Sequence, residues 1–212
     1  MKQSHQFTKL LLAAALALGF ATAALHAAEN TAPAGLLGQR YATAGFGIID
    51  LGDSSLDVHS YRLAYNQDVA AGVDARLELD YLRSQPTNSV LYGHQRYTDR
   101  NAVIGARAFT RRGTVTPYAE LGAGWTWFKL ADWREDSFLW FAGVGAEFAV
   151  NGSFVVAPYV RYTDRVDLFR GHSWNYGMRA NYALTAQLAL TATLDRDDDQ
   201  DMEYQLGLAW RF

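Results

Sequence analysis

Cysteine is absent from all 212 residues. No disulfide can staple the chain, and no thiolate is available as a nucleophile or metal ligand. Histidine is scarce, with five in total, and proline scarcer still, with four. Charge of one sign is missing as well: 19 Lys and Arg against 22 Asp and Glu leave a formal −3. That balance excludes the clustered basic face that nucleic acid demands. Past residue 28, no apolar run approaches the roughly 20 residues a membrane-crossing helix needs, although half of the chain is hydrophobic and 14% is aromatic.

The apolar residues are therefore dispersed, and their dispersal has a period of two. In Met202 to Phe212, the residues Met202, Tyr204, Leu206, Leu208, Trp210 and Phe212 share one parity. Glu203, Gln205, Gly207, Ala209 and Arg211 share the other, which places the two sets on opposite faces of a strand. Residues 71–82 are clearer still: Val73, Ala75, Leu77, Leu79 and Tyr81 alternate with Asp74, Arg76, Glu78 and Asp80. Charge facing hydrocarbon costs about 2–4 kcal/mol for Arg or Lys near the midplane, so the second face must look into a polar interior. Ten such stretches are predicted, near 39–50, 57–66, 71–82, 96–109, 115–128, 137–150, 153–163, 173–183, 186–195 and 201–212. The alternation implies an all-β chain, a closed antiparallel up-and-down transmembrane barrel of about ten strands, with eight as the alternative. A soluble β-sandwich or lipocalin-like barrel would bury the same aromatics in its core.

The amino-terminus carries an export address. Lys2 and Lys9 precede an apolar run from Leu10 to Leu25, followed by small residues through Ala28. This reads as a secretory signal peptide over residues 1–28, cut between about Leu25 and Glu29. Residues 29–212 read as one barrel domain, exported through the periplasm to the outer membrane.

Connections fall into two classes. Residues 67–70, 110–114, 151–152 and 184–185 are predicted to be short turns, Asn151-Gly152 as a type I′ hairpin turn. Residues 83–95, 129–136, 164–172 and 196–200 are predicted to be the external loops, since outer-membrane barrels keep short turns on the periplasmic side. Aromatics then cluster at strand ends. Trp125, Trp127, Trp140, Trp174, Tyr176 and Tyr204 are expected in the outer girdle, and Tyr65, Phe148, Tyr182, Trp210 and Phe212 in the inner one, where amphipathic rings favour the bilayer interfaces.

The inward parity holds Arg62, Arg76, Arg107, Arg161, Arg179 and Arg211 against Asp74, Glu78, Asp80, Glu120, Glu147 and Glu203, with Asp195 beside them. Simple hairpin registers put Arg62 near Asp74 and Arg107 near Glu120. Charges of nearly cancelling sign inside a narrow barrel imply a paired network that fills the lumen. Gly122, Gly124, Gly143 and Gly145 thin the wall opposite the charged third strand and leave room for a water-filled gap, so a narrow porin-like channel for ions or small solutes is the alternative.

The segments Thr116-Pro117-Tyr118-Ala119-Glu120-Leu121-Gly122-Ala123-Gly124-Trp125 and Phe141-Ala142-Gly143-Val144-Gly145-Ala146-Glu147-Phe148 resemble strands of the outer-membrane β-barrel superfamily, the OmpA-like transmembrane group and small porin-family barrels. The resemblance implies a Gram-negative outer membrane with its lipids and lipopolysaccharide around the barrel. It also implies periplasmic chaperones and a barrel-assembly machinery that recognises a terminal strand like 202–212, with Trp210 and Phe212 as its signal. Such proteins commonly have eight strands, against the ten read here.

Enzymatic and metal chemistry have little to build on. An outer-membrane lipid hydrolase needs a Ser-His pair and a protease an Asp-His set at the rim. The three histidines beyond the signal peptide, His59, His94 and His172, with Ser89 and Ser173 nearby, show no diagnostic spacing. The run Asp197-Asp198-Asp199-Gln200-Asp201 lacks the Gly and spaced Glu of a calcium-binding loop. Arg83, Arg96 and Arg100 lie near the external rim, where guanidiniums suit lipid phosphates. The sequence thus points to a non-enzymatic barrel with no cofactor and no metal, in a structural or surface-interaction role.

Overall fold

A computed structural model describes residues 35–51, 57–84, 97–130, 132–166 and 171–212; the signal peptide, His94, Arg96 and Ser89 lie outside these. Ten strands follow one another: β1 (Tyr41–Asp50), β2 (Asp57–Ala70), β3 (Val73–Ser84), β4 (Tyr97–Phe109), β5 (Val115–Leu130), β6 (Trp133–Ala149), β7 (Phe154–Arg165), β8 (His172–Ala183), β9 (Leu188–Asp197) and β10 (Met202–Arg211). Each pairs antiparallel with its neighbours in sequence, and β1 pairs with β10 to close the barrel. Closure leaves no edge, which is the condition for a sheet to exist in lipid, where no water can satisfy a free strand.

The alternating residues sort as their parity predicts. Leu63, Ile104, Leu121 and Val144 are 56%, 68%, 65% and 60% exposed on the outside. Asp74, Asn66, Asn181 and Thr126 are fully buried within. The distribution is the reverse of a soluble core and matches a greasy band around a polar lumen. The strands run to 17 residues in β6 and 16 in β5, beyond the 9–11 residues that cross a bilayer. The surplus makes this hairpin longer than a crossing requires.

Three connections differ from the sequence reading. β2 continues through Gln67–Ala70, and the turn is Ala71-Gly72, with Gly72 at φ 77°. Residues 129–130 and 133–136 are strand rather than loop: Lys129 pairs with Arg134 and Leu130 with Trp133. Asn151-Gly152 is not a type I′ turn, because neither residue has positive φ. Instead the Ser153 N–H donates to Asn151 Oδ1 at 2.9 Å. The Asn side chain thereby closes the turn that positive φ would otherwise make.

Candidate functional site: a sealed lumen under an acidic vestibule

Two ion-pair clusters cross the interior. In the first, Arg62 reaches Asp80 at 2.6 Å and both Glu78 and Glu203 at 3.5 Å. Arg76 holds Glu78 at 2.6 Å, and the Ser60 hydroxyl donates to Glu203 at 2.7 Å. In the second, Glu120 accepts one guanidinium on each oxygen, Arg107 at 2.8 Å and Arg161 at 2.7 Å. Both arginines donate through Nε as well, at 3.2 and 3.0 Å. Two-pronged contacts of this kind offset the cost of burying charge better than single bonds do.

The expected Arg107–Glu120 pair is present because the two are register partners. The expected Arg62–Asp74 pair is not. Since β2 runs on to Ala70, the hairpin register shifts and Asp80, not Asp74, lies opposite Arg62. Asp74 accepts the Gly38 N–H at 3.0 Å instead, and Glu147 accepts the Leu36 N–H at 3.3 Å. Arg179 lies over the Tyr159 ring, 5.4 Å from its centroid, and Arg211 donates to the Ala186 carbonyl at 3.3 Å.

At two of the four wall glycines, Gly122 and Gly145, an aromatic ring occupies the expected gap. Phe141, Tyr118 and Tyr159 stand opposite Gly122, Gly145 and Gly177 across their strand pairs and lie over them. Arginines then stack on the rings: Arg161 is 4.5 Å from the Phe141 centroid and Arg107 is 4.8 Å from that of Tyr118. Glycine here makes room for an aromatic ring, and the ring also carries a cation.

A further seal was invisible in the strand pattern. Residues 35–40 enter the periplasmic mouth. Leu36 packs with Tyr41, Ala189 and Ala209, and Leu37 with Tyr118 and Tyr159. Arg111 donates to the Leu37 carbonyl at 3.1 Å, and Asn66 to that of Gln39 at 2.8 Å. The two leucines are 4% and 3% exposed. In the sequence they sit in a short apolar pair without period, which gives no signal of their destination.

Above these layers the external half opens into a vestibule of about 350 Å³, and a smaller space of about 40 Å³ lies below, around Arg76 and Thr193. Eight carboxylates and three arginines line the vestibule, an excess of five negative charges. Asp99 is tied by Arg165 at 2.9 Å and Thr126 at 2.8 Å; Asp195 accepts the Tyr159 hydroxyl at 2.7 Å. The acidic run forms the β9–β10 tip, where the Asp201 N–H donates to Asp197 Oδ1 at 2.8 Å. No metal-holding cluster occurs among the described residues.

The aromatic residues map to both barrel ends. Trp125, Trp127, Trp174 and Tyr176 are exposed on the outside toward the external end; Trp140 and Tyr204 are half-buried there. Tyr65, Phe148, Trp210 and Phe212 are exposed toward the periplasmic end, but Tyr182 is only 7% exposed. Of the histidines, His59 packs on Phe46 at 5.6 Å and His172 on Tyr162 at 6.5 Å. Ser173 bonds Asn175 at 3.4 Å, not a histidine.

No curated protein matches the chain. Among solved structures, Neisserial surface protein A is similar at 13% identity, covering 82% of this chain and 96% of its own, with a TM-score of 0.43. OprG from Pseudomonas aeruginosa shows 15% identity, 85% and 99% coverage and a TM-score of 0.43. The translocator domain of autotransporter NalP from Neisseria meningitidis shows 10% identity, 97% and 98% coverage and a TM-score of 0.49. The profile of the outer membrane protein beta-barrel domain family matches residues 12–212. The chain therefore belongs to that family, and its place is the outer membrane.

Proposed function

We propose that this protein is a closed, non-catalytic barrel whose working surface is its external end, in a structural or surface-interaction role. The observation that carries the reading is the double obstruction of the lumen. The inserted segment 35–40 fills the periplasmic mouth, and the Arg62 and Glu120 clusters cross the middle. A ten-strand barrel is only slightly wider than the eight-strand class that side chains fill completely, so these layers suffice to exclude a continuous water path. Planar-bilayer recordings of the refolded protein test it. No stable conductance is expected; reproducible unitary steps would overturn the closed reading.

The acidic vestibule favours a second reading, a narrow cation path that opens when the periplasmic segment withdraws. In that case the recordings show steps with cation selectivity. Catalysis draws no support from the rim, where neither described histidine meets a serine. Fluorogenic peptide and phospholipid substrates are expected to remain intact, and turnover lost on replacing His59, His94 or His172 by Ala would establish an enzyme. Assembly through periplasmic chaperones and the insertion machinery, with Trp210 and Phe212 in the recognised strand, is part of the same proposal.

A further inference from the structure

The outward surface of β3 to β6 has a feature that barrel building does not require. Across these strands Arg83 stands opposite Thr98, Thr98 opposite Lys129, and Lys129 opposite Arg134. One step nearer the membrane, Tyr81, Arg100, Trp127 and Asp136 are neighbours in the same way, and below them come Leu79, Ala102, Trp125 and Phe138. The face thus grades from a cationic row through a mixed aromatic and charged row to an apolar one over two steps of about 7 Å each along the strands.

Arg83, Arg100, Lys129 and Arg134 are all exposed, and none is in an ion pair among the described residues. Arg100 lies over the Tyr81 ring at 5.6 Å. The single carboxylate among the described outward residues of these strands, Asp136, is engaged by the Trp125 indole N–H at 3.1 Å. Like charges directly opposed on a ladder destabilise a sheet. Lys129 and Arg134 are opposed in this way. Beside them runs an outer groove of about 1040 Å³, floored by Leu79 and Ala102 and bounded by Trp127 and by Arg100, Lys129 and Arg134, three cations against the carboxylates of Glu135 and Asp136.

We propose that this groove binds a phosphorylated glycolipid of the outer leaflet, lipopolysaccharide, with its phosphates between Lys129, Arg134 and Arg100 and an acyl chain along Leu79 and Ala102. An anion between the opposed cations converts their repulsion into two charge-assisted contacts, and arginine and lysine at a headgroup level recognise phosphate. Trp127 then sits at the depth where amphipathic rings mark the interface. The inference rests on the outer-membrane location alone and not on the closed lumen, so failure of the conductance test leaves it standing and the converse also holds.

The test follows urea unfolding and lipid titration of the full mature protein. In phosphatidylcholine vesicles, Lys129→Ala is expected to be neutral or stabilising, because it removes a like-charge pair. In vesicles of phosphatidylcholine with lipopolysaccharide, the same substitution is expected to destabilise, a reversal that a purely structural role does not produce. In detergent, the double variant Lys129→Ala/Arg134→Ala is expected to bind lipopolysaccharide about tenfold more weakly, equivalent to 1.4 kcal/mol. Arg196→Ala, an outward arginine on β9, is expected to bind as the parent does. Equal affinity for dephosphorylated lipid, an equal loss in Arg196→Ala, no sign reversal between the vesicles, or displacement of the lipid by inorganic phosphate would each overturn the assignment.

Discussion

At the scale of single residues the lumen is governed by the cost of an unpaired charge. Glu120 is 7% exposed and serves two guanidiniums. Glu120→Gln keeps the shape but leaves Arg107 and Arg161 facing one another, so a loss of about 3–5 kcal/mol is expected in urea unfolding from vesicles. Replacing all three together, as Arg107→Met/Glu120→Leu/Arg161→Met, is expected to recover most of that loss, since apolar side chains of like volume need no partner. A single variant as stable as the parent would mean that the triad is hydrated rather than buried. A second residue-scale effect lies outside the membrane. Partial burial, then the charges of Asp197, Asp199 and Asp50, push the Asp201 carboxyl up to about 6. Its folded form thus holds a proton that the unfolded chain releases at a lower pH. The stabilisation is full below the ordinary carboxylate range and is lost as pH rises through about 6. Amide exchange at 197–201 is expected to quicken, beyond its intrinsic pH dependence, as pH rises through that window. Asp201→Asn abolishes the excess if the assignment holds.

At the scale of elements the strands act in pairs, and the pairing explains what could be read from sequence. Gly145 lies directly opposite Tyr118, and an added Cβ would come within 2.5 Å of the Tyr118 hydroxyl oxygen. Gly145→Ala should therefore cost about 1–3 kcal/mol through overpacking. Tyr118→Ala should cost less in that background than in the parent, a coupling a double-mutant cycle measures; strict additivity would show that the ring is free to move aside. This pair marks the boundary of legibility. Parity is local, so the inward place of Tyr118, Glu120 and Gly145 follows from sequence, as does the Arg107–Glu120 contact across a turn of nearly correct length. Register depends on the turn, and misplacing the β2 end by four residues sends Arg62 to the wrong acid. Contacts between strands distant in sequence, Arg161 with Glu120 or Ser60 with Glu203, depend on closure geometry and on strand tilt, which no local pattern carries. The same limit hid the gradient on β3 to β6: Arg83 and Arg100 are readable as rim residues, whereas Lys129 and Arg134 read as loop although β5 runs to Leu130 and β6 starts at Trp133.

At the scale of the whole molecule the question is what it takes to open the barrel. The two obstructions stand in series, because the small space of about 40 Å³ is lined by Leu36 of the inserted segment and by Arg62, which also lines the vestibule of about 350 Å³. Removing either obstruction leaves the other intact. Deleting residues 35–40 is accordingly expected to give no stable conductance, and so is Arg62→Ala/Arg161→Ala with the segment in place. Only the combined variant should conduct. Its current should be carried by cations, since losing two arginines leaves eight lining carboxylates against Arg165 alone, and a charged constriction enriches counter-ions. The reversal potential in a salt gradient reads the sign. Conductance from the deletion alone would identify the periplasmic segment as the whole seal and reduce the mid-lumen clusters to lining. Anion selectivity in the combined variant would show that the vestibule carboxylates are neutralised.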